Sequence, residues 1–168
     1  MDKLIIKGGS KISGSVNVHG SKNSALPIIV SSLLSKKTLK LSNVPNVVDV
    51  LNLIKLLKNY GVKIEHKKNK LKINPSKIKN LSADYDVVRK MRASILILGP
   101  LLSRFGEARI SLPGGCAIGT RPIDIHLAGL SKLGANFEIQ NGFVVGSVKS
   151  QLIGNKIKLP FPSVGATE

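Results

Sequence analysis

Cysteine, aromatic residues and acidic side chains are all scarce in this 168-residue chain. One cysteine excludes a disulfide framework and any multi-cysteine zinc site. Three scattered histidines, with no His-x-x-x-His or Glu-x-x-His pair, give no sign of a metal site. Four phenylalanines, two tyrosines and no tryptophan argue against the stacking platforms of single-strand binders. No long apolar run is present. The longest, Ile95 to Leu102, is interrupted by Gly99-Pro100 and is far too short to span a bilayer. Met1-Asp2-Lys3-Leu4 does not begin a signal peptide, so the expected location is cytoplasmic and reducing.

Positive charge is abundant. Lys and Arg number 26 against nine Asp and Glu, a formal net charge of +17. Such a chain attracts anions: nucleic acid, headgroups or phosphorylated small molecules. Lysines spread over a solvated surface give the same number. At 42 % hydrophobic and 21 % charged, the chain can bury a core and is not disordered.

Short strands alternate with helices. Leu4–Ile6 and Val16–Val18 read as strands around glycine turns. A helix over 24–34 takes Asn23 or Ser24 as its cap, with Pro27 in its first turn. Residues 38–41 follow as a strand. After Pro45, Val50, Leu53, Ile54 and Leu57 form one apolar stripe of a helix that Gly61 ends. Residues 63–65 and 70–73 predict a hairpin, with lysines alternating with Leu71 and Ile73. A helix from Asp84 runs into the apolar Ile95–Leu98 and should be buried. Then come a strand over 108–112, a glycine-rich loop over 113–119, and a helix from Pro122 to Gly134. A hairpin over 136–145 turns on Asn141-Gly142.

A repeat is visible. Thr38–Pro45 resembles Ala108–Pro113, and the helices after them align on Gly61 and Gly134. Each copy reads strand, helix, hairpin, with a further helix between copies, in an α/β (α+β) domain. Neither Gly-x-Gly-x-x-Gly nor a Walker loop is present. Thr167-Glu168 resembles a helix start with Thr167 as N-cap, which suggests a truncated chain.

Several residues could carry chemistry. Cys116 follows two glycines and lies five residues before Arg121, whose charge would lower a thiol pKa; a lone cysteine can equally be a small buried hydrophobe. Lys22-Asn23 falls at a helix start, where a lysine suits phosphate or carboxylate capture or is simply exposed. Arg92, at the edge of an apolar segment, needs an anion, either a ligand or Asp84 or Asp86. Arg121-Pro122-Ile123-Asp124 joins a bidentate clamp to a carboxylate, although Asp124 can serve only the helix dipole. His126 beside it can titrate or simply pack. The lysines at 63, 67, 68, 70, 72, 77 and 79 form the best polyanion patch, but without aromatic interleaving they also read as a solvated hairpin face.

Five blocks carry a resemblance: Gly20–Pro27, Leu41–Pro45, Met91–Ile95, Leu112–Pro122 and Phe161–Glu168. In order and spacing they resemble the UDP-N-acetylglucosamine enolpyruvyl transferases of the EPSP synthase family. The Pro-Gly-Gly-Cys-Ala-Ile-Gly loop with Arg121 separates that branch from the shikimate-pathway one. The resemblance implies an inside-out α/β barrel of repeated units. Residues 1–19 would be strands joining a second domain, residues 20–168 most of the first domain, and the second domain would be missing. It implies transfer of enolpyruvate from phosphoenolpyruvate to the 3-hydroxyl of UDP-N-acetylglucosamine with release of phosphate, the first committed step of peptidoglycan synthesis, with no cofactor or metal. Cys116 would be the general acid, and Lys22 and Arg121 would hold carboxylate and phosphate with Asn23 beside them. Arg92 would contact the UDP-sugar. Arg121, Pro122, Ile123, Asp124 and Ile125 would cradle the uridine, and Ser163, Val164 and Gly165 the diphosphate. The implied partners are these two small molecules and a separate C-terminal half, without a membrane or nucleic acid. A fragment of this length would lack the base and be inactive alone. The alternative from another class is a non-catalytic basic module that binds nucleic acid or another polyanion.

Overall fold

The computed structural model describes residues 3–82, 92–112 and 123–168, without the side chains of 92 and 93. Its helices are α1 (Lys22–Ser31), α2 (Val48–Asn59), α3 (Leu98–Phe105), α4 (Asp124–Lys132) and α5 (Val164–Thr167). Its strands are β1 (Leu39–Leu41), β2 (Lys63–Lys67), β3 (Lys70–Asn74), β4 (Glu107–Ser111), β5 (Ala135–Gln140) and β6 (Phe143–Val148). Single 3₁₀ segments run over Ser32–Leu34 and Arg92–Ile97.

The repeat is real. One sheet has the order β1-β3-β2 and the other β4-β6-β5, all pairs antiparallel. In each, the strand before the helix pairs with the last strand of the hairpin after it. The class is therefore α+β. Among the described residues the two sheets do not close into a barrel. Leu81 and Ser82 extend the second sheet, with Arg109 N–H donating to the Leu81 carbonyl at 3.1 Å.

The helix terminators act as their residue types require. At the end of α2 the Val62 and Gly61 amides donate to the carbonyls of Leu57 and Lys58, at 3.1 and 2.9 Å. This pair of bonds needs a left-handed residue, and Gly61 has φ +91°. Gly134 ends α4 at φ +98°. The Asn141-Gly142 turn has φ of 50° and 78°, the double-positive conformation that matches strand twist. In the first hairpin Leu71 and Ile73 are buried while Lys70 and Lys72 face solvent. Opposite Lys72, Glu65 accepts its ammonium at 2.9 Å, which holds the Glu65 carboxyl below its ordinary pKa. The stripe Val50, Leu53, Ile54, Leu57 is buried, against α1 and the 92–97 segment. Truncating any of these leucines costs roughly 2–5 kcal/mol.

Five expectations are corrected. Leu4–Ile6 and Val16–Val18 form no strands: residues 3–20 lack regular structure, and Leu4 is 88 % exposed. A strand exists only with a partner ladder, and among the described residues this segment has none. The cap of α1 is Ser21, whose Oγ accepts from the Ser24 amide at 3.4 Å, so the helix starts two residues earlier. Pro27 consequently sits in the second turn and leaves the Asn23 carbonyl without its i+4 donor. The helix expected to run from Asp84 into Ile95–Leu98 is 3₁₀ over Arg92–Ile97, and the α-helix α3 begins only at Leu98 and ends at Gly106, φ +76°. Pro100 is tolerated as its third residue, because first-turn amides need no acceptor within the helix. Finally, Ser163 rather than Thr167 caps the last helix: its Oγ accepts from Ala166 N–H at 3.4 Å, and Thr167 Oγ1 donates back to the Ser163 carbonyl at 2.7 Å. The first part of the helix expected from Asp84, over 83–91, lies outside the described residues.

Candidate functional site

Two groups of the expected residues are placed, and each sits at helix starts. In the first, Lys22 and Asn23 open α1. Lys22 Nζ lies 2.8 Å from Asp49 Oδ2 at the start of α2, with both side chains about half exposed. Asp49 was not singled out from the sequence. An acidic residue in a helix's first turn reads as dipole compensation, and only the packing of α1 on α2 reveals its partner.

The approach to α1 is tightly built. Asn43, just after β1, adopts φ +58°, and its Oδ1 accepts from Gly20 N–H at 3.2 Å. A Cβ on residue 20 would overlap the Asn43 carbonyl oxygen, so only glycine fits. Val44 N–H donates to the Asn69 carbonyl at 2.8 Å, which ties this loop to the β2–β3 turn.

In the second group, Ile123, Asp124 and Ile125 at the start of α4 lie beside Ser163, Val164 and Gly165 at the start of α5, because the two helices pack together. His126 lies between them. A Cβ on Gly165 would stand 3.3 Å from its Nε2. Burial pushes the imidazole pKa down, the Ile123 and Gly165 backbone partly opposing this, and Nδ1 has no hydrogen-bond partner among the described residues. The ring sits against the Gly165 backbone. Along the other side of α4, a cleft of about 210 Å³ runs between Ile125, Ala128 and Gly129 and the Ile157–Pro160 segment, with Asp124 and Lys132 also lining it. Its wall is almost entirely apolar.

Cys116, Arg121 and Pro122 lie outside the described residues, as do Asp84, Asp86 and the side chain of Arg92. The segment bearing Cys116 and Arg121 links β4 to α4, so it ends at the second group. Among the described residues no cluster of His, Cys, Asp and Glu could hold a metal ion, and no helix is long and apolar enough to cross a membrane. The hairpin lysines are exposed, without aromatic partners among the described residues, and Lys72 is engaged by Glu65.

Comparison with known proteins gives consistent matches. The family model described as EPSP synthase (3-phosphoshikimate 1-carboxyvinyltransferase) matches residues 6–168. The UDP-N-acetylglucosamine 1-carboxyvinyltransferase of Campylobacter fetus is 52 % identical over 168 residues, all of this chain and 40 % of that protein. Its counterpart numbered 1 in Halalkalibacterium halodurans is 49 % identical over 169 residues, again the whole chain but 38 % of the relative. The chain thus spans about two fifths of the length of the curated relatives it matches. Among solved structures, the enolpyruvyl transferase NikO from Streptomyces tendae superposes with a TM-score of 0.72 at 21 % identity, over 87 % of this chain and 32 % of that one. EPSP synthase from Acinetobacter baumannii gives 0.68 at 19 % identity, over 91 % and 36 %. At those identities the likeness concerns the fold.

Proposed function

Since the chain belongs to the EPSP synthase family, we propose that it is the N-terminal part of an enolpyruvyl transferase acting on UDP-N-acetylglucosamine. The observation that carries this reading is 52 % identity over its whole length to a relative bearing that activity's name. The consequent place is the cytoplasm, at the entry to peptidoglycan and hence cell-wall synthesis, which supports cell shape and division.

The chemistry fits the residues. The sugar 3-oxygen bonds to C2 of phosphoenolpyruvate while the Cys116 thiol gives its proton to C3. The bond from C2 to the phosphate oxygen then breaks, a proton leaves C3, and the enolpyruvyl ether and phosphate depart. Lys22 and Arg121 neutralise the carboxylate and phosphate, with Asn23 beside them. Arg92 faces the UDP-sugar. Arg121, Pro122 and the Ile123–Ile125 turn enclose the uridine, and the Ser163–Gly165 amides at the start of α5 take the diphosphate. The group that removes the sugar proton belongs to the remaining three fifths of such a protein. Residues 1–19 are read as strands of that remainder, and 20–168 as most of the first domain.

The test is phosphate release from phosphoenolpyruvate and UDP-N-acetylglucosamine. The 168-residue chain alone is expected to release none, and the chain joined to the C-terminal part of the Campylobacter fetus relative to turn over. In the joined form, Cys116→Ala should lower the rate by at least about 100-fold, the scale of lost general acid catalysis. An active Cys116→Ala form, or a joined form that folds but is inert, would sink the reading.

A further inference from the structure

The geometry points to Asn43 as a positioning residue that fixes the start of α1, and with it Lys22 and Asn23, to the first sheet. This rests on the reading of Lys22 and Asn23 as anion-binding residues. Helix α1 begins weakly. Pro27 removes the donor for the Asn23 carbonyl, and the Ser21 cap is long at 3.4 Å. Ala25 N–H donates to the Ser21 carbonyl at 3.0 Å. Two residues before Lys22, however, Gly20 is gripped from outside. Its amide donates to Asn43 Oδ1 at 3.2 Å, and its α-carbon packs so closely on the Asn43 carbonyl that no side chain fits. Asn43 is itself held on both sides, by β1 before it and by the Val44–Asn69 bond after it. Its left-handed φ of +58° is one that asparagine adopts readily and branched residues do not. Rigidity thus passes from the sheet through Asn43 and Gly20 to the first turn of α1. The exposed Lys22–Asp49 pair adds little restraint of its own.

The test uses the ¹⁵N-labelled 168-residue chain and its variants Asn43→Gly and Asn43→Asp. Glycine keeps the positive φ and removes the acceptor; aspartate restores an acceptor oxygen at the same place. Gly20 amide exchange is measured, and phosphoenolpyruvate is titrated while the Lys22 and Asn23 amides are followed. In Asn43→Gly, Gly20 should exchange at least about tenfold faster and phosphoenolpyruvate affinity should fall about tenfold. Asn43→Asp should recover both to within about threefold. Unaltered exchange in Asn43→Gly overturns the clamp. Faster exchange with unchanged affinity, or no rescue by Asn43→Asp, overturns the positioning role. A folded wild type that shows no shift with phosphoenolpyruvate counts against the functional reading and the positioning role together. Faster Gly20 exchange in Asn43→Gly would then still identify the clamp as a structural contact.

Discussion

Tyr60 closes α2 with its ring wholly buried and its hydroxyl without a hydrogen-bond partner among the described residues. An unsatisfied buried hydroxyl costs about 1–3 kcal/mol, whereas its ring contributes fully to the core. Tyr60→Phe keeps the ring and removes the penalty. The variant should be more stable at pH 7 by about 1 kcal/mol, or roughly 2–4 °C in unfolding midpoint. Alkaline pH sharpens the test. Burial pushes the phenol above its ordinary pKa of about 10. With the folded value raised above the unfolded one, this stability is complete below about pH 10 and declines as pH rises further, because only the unfolded state ionises. The gap between Tyr60→Phe and wild type should therefore widen from pH 9 to pH 11 in thermal unfolding. A variant less stable than wild type at pH 7 would show that the hydroxyl is bonded after all.

The two copies of the strand–helix–hairpin element offer an internal comparison. Both helices end on a glycine with φ above +90°, a conformation that costs other residues about 1–2 kcal/mol. Their surroundings differ. A Cβ on Gly61 would press on backbone, the Lys77 carbonyl at 3.1 Å and the Lys79 amide at 3.2 Å; one on Gly134 would meet only Ile153 Cγ1 at 3.7 Å. Gly61→Ala is therefore expected to cost about 2–4 kcal/mol and Gly134→Ala about 1–2 in denaturant unfolding. Equal losses would mean that the backbone around Gly61 yields freely. These glycines were legible in the sequence because a terminator is a local device: it needs its own φ and the turn before it. The Asn141-Gly142 hairpin and the Leu71/Ile73 alternation were legible for the same reason. Elements that depend on distant partners were not. Leu4–Ile6 and Val16–Val18 have strand composition without a strand to pair with. Helix α3 runs through Gly99-Pro100, ordinarily breakers, because Pro100 falls where no amide is missed. At the candidate site, Lys22 and Asn23 could be marked from residue type and a helix start, whereas the 163–165 turn came only from the family resemblance, since residue type alone placed that helix start at Thr167. Asp49 and Asn43 could not be marked, since their roles arise only when α2 and the β1 loop meet α1 in space.

At the scale of the whole molecule, the arm before α1 pairs with no strand among the described residues. Leu4, Ile5, Ile6, Ile12, Val16 and Val18 are almost fully exposed, although β-branched and leucine side chains are among those most often buried. Exposed in the folded chain, they contribute next to nothing to its stability, since apolar side chains stabilise only when water is removed from them. They do offer apolar faces to other molecules, as an unprotected edge does. Deleting residues 1–18 should therefore move the unfolding midpoint by less than about 2 °C, because the Gly20–Asn43 clamp and the whole core remain. Sedimentation should show less self-association in the shortened chain, at low and moderate salt alike, because the net charge of +17 repels copies while the arm attracts them. Joined to the C-terminal part of a full-length relative, the same deletion should have the opposite consequence. If residues 1–19 pair as strands with that remainder, their loss takes away a ladder and its apolar face, and the midpoint should fall by well over 5 °C. A joined form indifferent to the deletion would mean that the arm has no place in the larger fold.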